Sequence, residues 1–200
     1  MALLGQAHAA DDGFYVTAGL GISVNDLKQS DADMLAQEIV DVGYTSANVK
    51  LQKSTVAGKI GAGYKVNRYL ALEAAYMNLG TFEHEITTTG PTDKVTVEDE
   101  YTGTALSLVG MLPISDNWSL LGRIGHLKWK NEIEARGCAI SCATVSGSAK
   151  GSDTIYGLGG NWEITDRWGL TAEWNGTKLN YDGGGNQKLN LYLVSGRYKF

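Results

Sequence analysis

The sequence predicts an all-β protein whose eight strands form a closed, antiparallel barrel. Three observations support this fold class. Apolar residues alternate with polar or small residues over several segments, as in GKIGAGYKV (58–66) and YLALEAAYM (69–77). Short polar turns join such segments in pairs, and long polar segments separate the pairs. The length of 200 residues fits one barrel domain.

The strands follow one another as a first strand, three hairpins and a last strand. The first strand is FYVTAGLGISV (14–24) and the last is KLNLYLVSGRYKF (188–200). The predicted hairpin turns are Asn67-Arg68, Ser115–Asn117 and Thr165–Arg167. The predicted loops are residues 25–53, 81–100, 131–151 and 181–187. A short helix is expected over 31–40, DADMLAQEIV, within the first loop.

The two faces of the predicted strands carry different kinds of side chain. Large aliphatic residues and most aromatic residues share one parity, and the other parity holds mainly Gly, Ala, Ser and Thr. Five charged residues share that second parity: Lys59, Glu73, Arg123, Glu173 and Arg197. Small and charged side chains suit a narrow polar lumen, with the apolar face toward lipid. We therefore predict a transmembrane barrel with short periplasmic turns and long extracellular loops.

The five inward charges are the first candidate functional residues. Buried charges are costly unless they are paired. We expect Glu73 and Glu173 to pair with Lys59, Arg123 or Arg197 across the barrel. Two interpretations remain open: a salt-bridged plug that fills the interior, or a gate that passes small ions when the partners exchange.

Three tryptophans lie beside the predicted short turns: Trp118, Trp162 and Trp168. The indole ring is apolar but carries one N–H donor, so tryptophan favours the interface between membrane and water. We expect these residues to form an interfacial girdle. The alternative is the tryptophan-rich core of a soluble β-sandwich.

Several other classes of function are disfavoured by the sequence. The net charge of -5 disfavours nucleic-acid binding. Neither a G-x-S-x-G nucleophile motif nor a complete dinucleotide motif occurs, so we expect neither an enzyme nor a cofactor. One histidine, His84, stands between two glutamates without a second histidine nearby, and we expect no metal site there.

Both the N-terminus and the cysteines indicate a protein exported from the cytoplasm. Residues 1–9 contain Ala7-His8-Ala9, which matches a signal-peptidase site, so we interpret them as a signal-peptide remnant before a single barrel domain over 10–200. The alternative is a chance match, since no basic segment precedes the short apolar stretch. Cys138 and Cys142 are close enough to close a small disulfide ring in an oxidising compartment. The alternative is two free thiols.

Three segments carry a resemblance to a known family: SLLGRIGHLKWK (119–130), ITDRWGLTAEW (164–174) and LYLVSGRYKF (191–200). Over residues 13–200 the sequence resembles the N-terminal barrel of OmpA-like outer-membrane proteins of Gram-negative bacteria. The resemblance does not include the peptidoglycan-binding domain of full-length members. The last segment is similar to the family's assembly signature, with Tyr192, Val194, Tyr198 and Phe200 on alternate positions.

The resemblance and the pattern together imply a location and a set of partners. We expect an integral outer-membrane monomer in contact with lipid and lipopolysaccharide, inserted by the barrel-assembly machinery. The predicted function is structural or weakly ion-conducting. The alternative is a surface adhesin that acts through its loops, in which acidic residues outnumber basic ones.

Overall fold

The computed structural model describes residues 12–41, 45–89, 94–138, 142–181 and 183–200. Nearly all of these residues lie in strands, with one helix near the N-terminus. The elements are β1 (Gly13–Asn25), α1 (Gln29–Asp41), β2 (Ser46–Leu51), β3 (Ser54–Asn67), β4 (Leu70–Thr89), β5 (Lys94–Pro113), β6 (Trp118–Cys138), β7 (Cys142–Glu163), β8 (Trp168–Asn180) and β9 (Asn186–Lys199). The helix α1 confirms the short helix predicted over 31–40. No helix within the described ranges is long and apolar enough to cross a membrane.

Eight of the strands form a closed antiparallel ring. Each strand from β3 to β9 pairs with the next in the chain, and β1 pairs with both β3 and β9. Tyr15 lies opposite Lys199 at one end of the β1–β9 seam, and Asn25 lies opposite Leu189 at the other. A closed ring leaves no edge strand with unpaired backbone groups, which is the condition for a sheet to exist in hydrocarbon. The predicted barrel of eight strands is confirmed.

The three short turns lie where the alternation pattern placed them. The β3–β4 turn is held by Asn67, whose side-chain Oδ1 accepts the backbone N–H of Tyr69 at 2.8 Å. In the β7–β8 turn, Thr165 Oγ1 accepts the backbone N–H of Trp168 at 3.0 Å. These side chains accept hydrogen bonds from backbone N–H groups in the turn, which have no partner strand there, and so they stabilise the tight turns.

The long polar segments differ from the predicted loops. Residues 81–100 and 131–151 belong mostly to β4, β5, β6 and β7, which continue as hairpins far beyond the region of alternating large apolar residues. The first segment contains α1 and β2, the one described strand outside the ring of eight. β2 pairs with the far end of β4, where Ser46 lies opposite Thr89 and Leu51 lies opposite His84. Polarity alone did not indicate loops, because strands outside a membrane present polar side chains to water.

A bulge changes the facing of β4 halfway along its length. The register with β5 shifts between Asn78 and Gly80, and Gly80 has a φ of 116°, a conformation that favours glycine. Before the bulge the buried residues are odd-numbered, such as Glu73 and Met77, but beyond it they are even-numbered, namely Phe82 and Thr88. This parity change obscured the strand in the sequence pattern.

The interior of the barrel holds two apolar clusters. One, near the short turns, we call the lower apolar cluster; it consists of Tyr15, Ala71, Val109, Met111 and Leu121. The other, toward the long hairpins, is larger, and we call it the apolar plug. Its members are Ala57, Ala75, Met77, Leu79, Phe82, Tyr101, Ala105, Leu127, Trp129, Ile155, Leu179, Leu189, Leu191 and Leu193.

Candidate functional site

Four inward charges meet in one layer between the two apolar clusters. Arg123 donates from Nη1 to Glu73 at 2.7 Å and from Nη2 to Glu173 at 3.1 Å. Lys59 Nζ contacts Glu73 at 3.4 Å and also forms an ion pair with Glu173. Two cations and two carboxylates thus alternate around a ring, and each charge has two opposite neighbours. We call these four residues the charge layer.

The register of the strands explains why the charge layer lies where it does. Glu73 follows Ala71 of the lower cluster and precedes Ala75 of the apolar plug on the inward side of β4. Arg123 likewise lies between Leu121 and Leu127 on β6. All four side chains are at most 7% exposed, so each charge is removed from water and depends on its partners.

The fifth predicted lumen charge, Arg197, is also buried, but it is not one of the four residues of the charge layer. Its guanidinium pairs instead with Glu163, a residue that the sequence analysis did not select. It also lies 5.5 Å from the centre of the Tyr15 ring, and Tyr15 donates its hydroxyl to Glu73 at 3.0 Å. Arg197 is therefore one step removed from the layer. Glu163 is two residues from the buried Asn161 on the same face of the strand, and this spacing was the sequence signal that could have identified Glu163 as an inward residue.

The salt-bridged polar lumen expected from the sequence is present at the charge layer, which is one part of the interior. Beyond the charge layer the interior is occupied by the apolar plug, in which Leu79, Leu127, Ile155, Leu179, Leu189 and Leu191 are 0% exposed. These residues come from five different strands and meet on the barrel axis. Interiors of eight-stranded barrels are just wide enough to be filled by side chains, and here most of that filling is aliphatic.

The aromatic residues beside the short turns lie on the outer face. The rings of Trp118 and Trp162 stack with their centroids 5.7 Å apart, and Trp168 contacts Tyr198 at 4.9 Å. The three tryptophans are 41–56% exposed. Their placement at one end of an apolar outer surface is the arrangement expected of an interfacial girdle.

The residues of the predicted assembly signature also face outward. Tyr192, Val194 and Phe200 are 50%, 59% and 73% exposed, and the ring of Tyr198 lies 5.3 Å from that of Phe200. They form a continuous apolar stripe on β9 that the rest of the barrel does not cover. Such a stripe is available to lipid or to a partner protein.

The outer face of β4, β5 and β6 beyond the apolar band carries a cluster of carboxylates. On β5 and β6, Glu98 lies directly opposite Glu134, and Glu100 lies opposite Glu132. Glu83 on β4 lies opposite Glu98, so carboxylates of three neighbouring strands adjoin. We call these five glutamates the acidic face.

The predicted absence of a metal site concerned His84. Its imidazole Nδ1 accepts the backbone N–H of Gln52 at 3.3 Å, and its Nε2 lies 3.9 Å from Asp99. Burial lowers the pKa of His84 below its ordinary value, against the opposing charge of Asp99. Within the described ranges no three His, Cys, Asp or Glu side chains come together as metal ligands.

The cysteines lie at the tip of the β6–β7 hairpin. Cys138 and Cys142 are opposite each other in the register, and Cys142 is disulfide-bonded in a chain with 2 cysteines. The predicted signal-peptide remnant over 1–9 lies outside the described residues.

Solved outer-membrane proteins share this architecture. OprG of Pseudomonas aeruginosa is 13% identical, with 98% of each chain covered and a TM-score of 0.55. Ail, the attachment invasion locus protein of Yersinia pestis, is 14% identical, with 96% of this chain and 100% of Ail covered and a TM-score of 0.52. Neisserial surface protein A is 13% identical, with coverage of 94% and 97% and a TM-score of 0.50. At these identities the likeness establishes the fold.

The family is established by a match along the entire chain. No curated protein sequence matches this one. The family model described as "outer membrane protein beta-barrel domain" matches residues 1–200. The resemblance inferred from the sequence is confirmed at this level, and so is the predicted location. The chain belongs to the outer membrane protein β-barrel domain family and is an integral protein of the bacterial outer membrane.

Proposed function

We propose that this protein is a structural barrel of the outer membrane that is closed to ions. The observation that carries the proposal is the continuous filling of its interior by the lower apolar cluster, the charge layer and the apolar plug. Of the two predicted roles of the lumen charges, this favours the plug over the gate.

Two physical arguments support a closed barrel. Each member of the charge layer has two partners, so an exchange of partners would leave at least one buried charge unpaired, and this is costly. An ion that passed the charge layer would then enter the apolar plug, where Leu127 and Ile155 offer it no ligands. A gate confined to the charge layer would therefore lead into a second barrier.

Conductance in planar bilayers tests this proposal. We expect reconstituted protein to give no steady openings, while heat-modifiable mobility in SDS shows that it is folded. The variants Glu73→Gln and Glu132→Gln make a matched pair, since each removes one carboxylate, one inside the barrel and one on its outer face. Steady wild-type openings that change in Glu73→Gln but not in Glu132→Gln would show that the charge layer is a gate.

A second candidate function, surface recognition, is favoured by the acidic face. Like charges directly opposite each other across strands destabilise a sheet, and Glu98–Glu134 and Glu100–Glu132 are two such pairs. Lys130 pairs with Glu132 and Arg136 pairs with Glu134, so Glu83, Glu98 and Glu100 are the members of the acidic face without an ion pair among the described residues. A Lys- and Arg-rich peptide segment is the type of ligand that fits them.

Binding to such a peptide distinguishes this candidate from a purely structural role. We expect wild-type protein to bind an immobilised Lys/Arg-rich peptide in a salt-dependent manner, and Glu98→Gln/Glu134→Gln to weaken that binding. The control is Asp116→Asn/Asp166→Asn, which removes two exposed charges from the short turns. Equal loss in both double variants would indicate a net-charge effect and contradict recognition by the acidic face.

We also propose that the protein is not an enzyme. Among the described residues, a serine and a histidine come together on the exposed outer face, where Ser152 Oγ lies 2.8 Å from His126 Nε2. Lipid and peptide hydrolysis by the detergent-solubilised protein, with Ser152→Ala as the comparison, tests this. Turnover that is lost in Ser152→Ala would contradict it.

Insertion and oligomeric state are the remaining parts of the proposal. The exposed stripe that ends at Phe200 supports recognition by the barrel-assembly machinery. We expect removal of Phe200 to lower the amount of protein in the outer membrane, and the purified protein to sediment as a monomer. Unchanged insertion without Phe200 would reject that role for the C-terminus.

A further inference from the structure

We propose that the outer face of β6–β9, just beyond the apolar band, binds the phosphate groups of lipopolysaccharide in the outer leaflet. Five lysines on this face carry the proposal, and we call them the basic belt. They are Lys128, Lys130, Lys150, Lys178 and Lys188. The proposal is independent of whether the barrel is closed, because it concerns only the surface that faces the membrane.

The register brings the lysines together in pairs. Lys130 lies directly opposite Lys150, and Lys178 lies directly opposite Lys188. Directly paired residues of antiparallel strands have Cβ atoms about 5 Å apart, so the ammonium groups repel one another. Only Lys130 has an ion pair here, with Glu132 at 2.7 Å. No carboxylate of the described residues lies within ion-pair distance of the other four lysines. This face therefore carries a positive charge that a bound anion would neutralise.

The height of the basic belt matches the headgroup region of the membrane. On β8 and β9 the last large outward side chains of the apolar band are Trp174 and Tyr192. Trp174 donates its indole N–H to Asn190 at 3.1 Å, which is how tryptophan behaves at an interface. Lys178 and Lys188 each lie four residues further along, which corresponds to a rise of about 10 Å once strand tilt is included.

A groove below the basic belt suits the acyl chains of the same ligand. It has a volume of about 390 Å³ and lies on the outer face between Leu108, Ile124, Leu158 and Trp174. Its floor includes Gly122, where an added Cβ would meet no atom within 4 Å. A lipid that places its tails in this groove brings its headgroup to the level of the lysines.

Polar donors between the lysines complete the site. Ser152 and His126 hydrogen-bond to each other at 2.8 Å, and Ser152 lies directly opposite Lys128 in the register. Lysine ammonium groups bind phosphate as point charges, and hydroxyl and imidazole groups add hydrogen bonds to its oxygens. A phosphorylated lipid contacts both the apolar groove and the basic belt, whereas a soluble anion contacts only the basic belt.

Native mass spectrometry of the protein released from detergent micelles tests the proposal. The probe is lipid A with its phosphates, compared with lipid A treated with phosphatase. The test variant is Lys150→Gln/Lys178→Gln. The control is Lys50→Gln/Lys53→Gln, which makes the same charge change on the other side of the barrel. Heat-modifiable mobility shows that each variant is folded.

We expect the wild type and the control to prefer phosphorylated lipid A, and the test variant to bind it about 30-fold more weakly. Competition by millimolar inorganic phosphate should not displace the lipid. The proposal is overturned if the test variant binds like the control, or if removal of the phosphates has no effect. It is also overturned if inorganic phosphate or a soluble polysulfated sugar displaces the lipid completely, because the site would then be one for soluble anions.

Discussion

Replacement of Glu73 by glutamine should destabilise the barrel strongly, because it leaves the charge layer with an excess positive charge. Glu73 is 5% exposed and accepts contacts from Arg123, Lys59 and Tyr15. Glutamine has nearly the same shape, so the packing is preserved while the charge is lost. The effect therefore measures electrostatics rather than a cavity.

The magnitude follows from the burial and the number of partners. Removing one partner of a buried ion pair typically costs about 3–5 kcal/mol, because the remaining charge stays in a medium of low dielectric constant. We expect a loss in this range from the free energy of unfolding of Glu73→Gln. The exposed Glu132, whose partner Lys130 is 41% exposed, gives the matched control, and its replacement should cost less than about 1 kcal/mol.

A double-mutant cycle identifies the source of the loss. Lys59→Met combined with Glu73→Gln removes one charge of each sign and leaves the pair Arg123 and Glu173 intact. The double variant should therefore be more stable than the sum of the two single effects predicts, by about 0.5–3 kcal/mol. Urea unfolding in lipid vesicles, followed by tryptophan fluorescence, provides the free energies. Additive effects, or a loss in Glu73→Gln no larger than in Glu132→Gln, would refute the coupling of the charge layer.

Three further predictions concern packing, backbone and pH. Leu127→Ala should lower the free energy of unfolding by about 2–5 kcal/mol in the same urea assay. The lipid-facing Leu106→Ala should cost less, because lipid fills the space and only the transfer free energy is lost. Gly80→Ala should cost at least about 1 kcal/mol because of the positive φ, whereas Gly122→Ala, with open space at its Cβ, should be tolerated. The pKa of His84 should be below 6.5 in an NMR titration. The folded state then binds fewer protons than the unfolded state, so the free energy of unfolding should rise with pH between the lowered pKa and 6.5. The variant His84→Gln should remove this rise. A titration midpoint of His84 above 6.5 would contradict the prediction.

The strands of the barrel and the inward facing of the charge-layer residues could be predicted because both depend on alternation. A strand that spans a membrane has one apolar face, so parity alone places Lys59, Glu73, Arg123 and Glu173 inside. The partner of Arg197 could not be predicted in the same way. Which residues on different strands meet inside a barrel depends on the stagger of the strands, and the alternation pattern carries no information on stagger.

The apolar plug and the long hairpins were missed for a different reason. On β9, Leu189, Leu191 and Leu193 face inward while Tyr192 and Val194 face outward, so both parities are apolar and the alternation is invisible. On β4 the bulge at Gly80 exchanges the two parities partway along the strand. A strand prediction that requires strict alternation of polar and apolar residues therefore fails on β9 and on the second half of β4.

The polarity of the strands reverses along their length, and this reversal locates the membrane. On β4, Glu73 faces inward beside the outward Leu72, whereas beyond the bulge Phe82 faces inward beside the outward Glu83. Within the band the barrel encloses the charge layer and presents apolar residues to hydrocarbon. Beyond the band the hairpins have an apolar interior and a polar surface, as water requires. The basic belt occupies the outer face immediately beyond this reversal. Its lysines therefore lie at the depth where lipid phosphates meet water. On β6 the acidic face begins beyond them, with Glu132 two residues after Lys130.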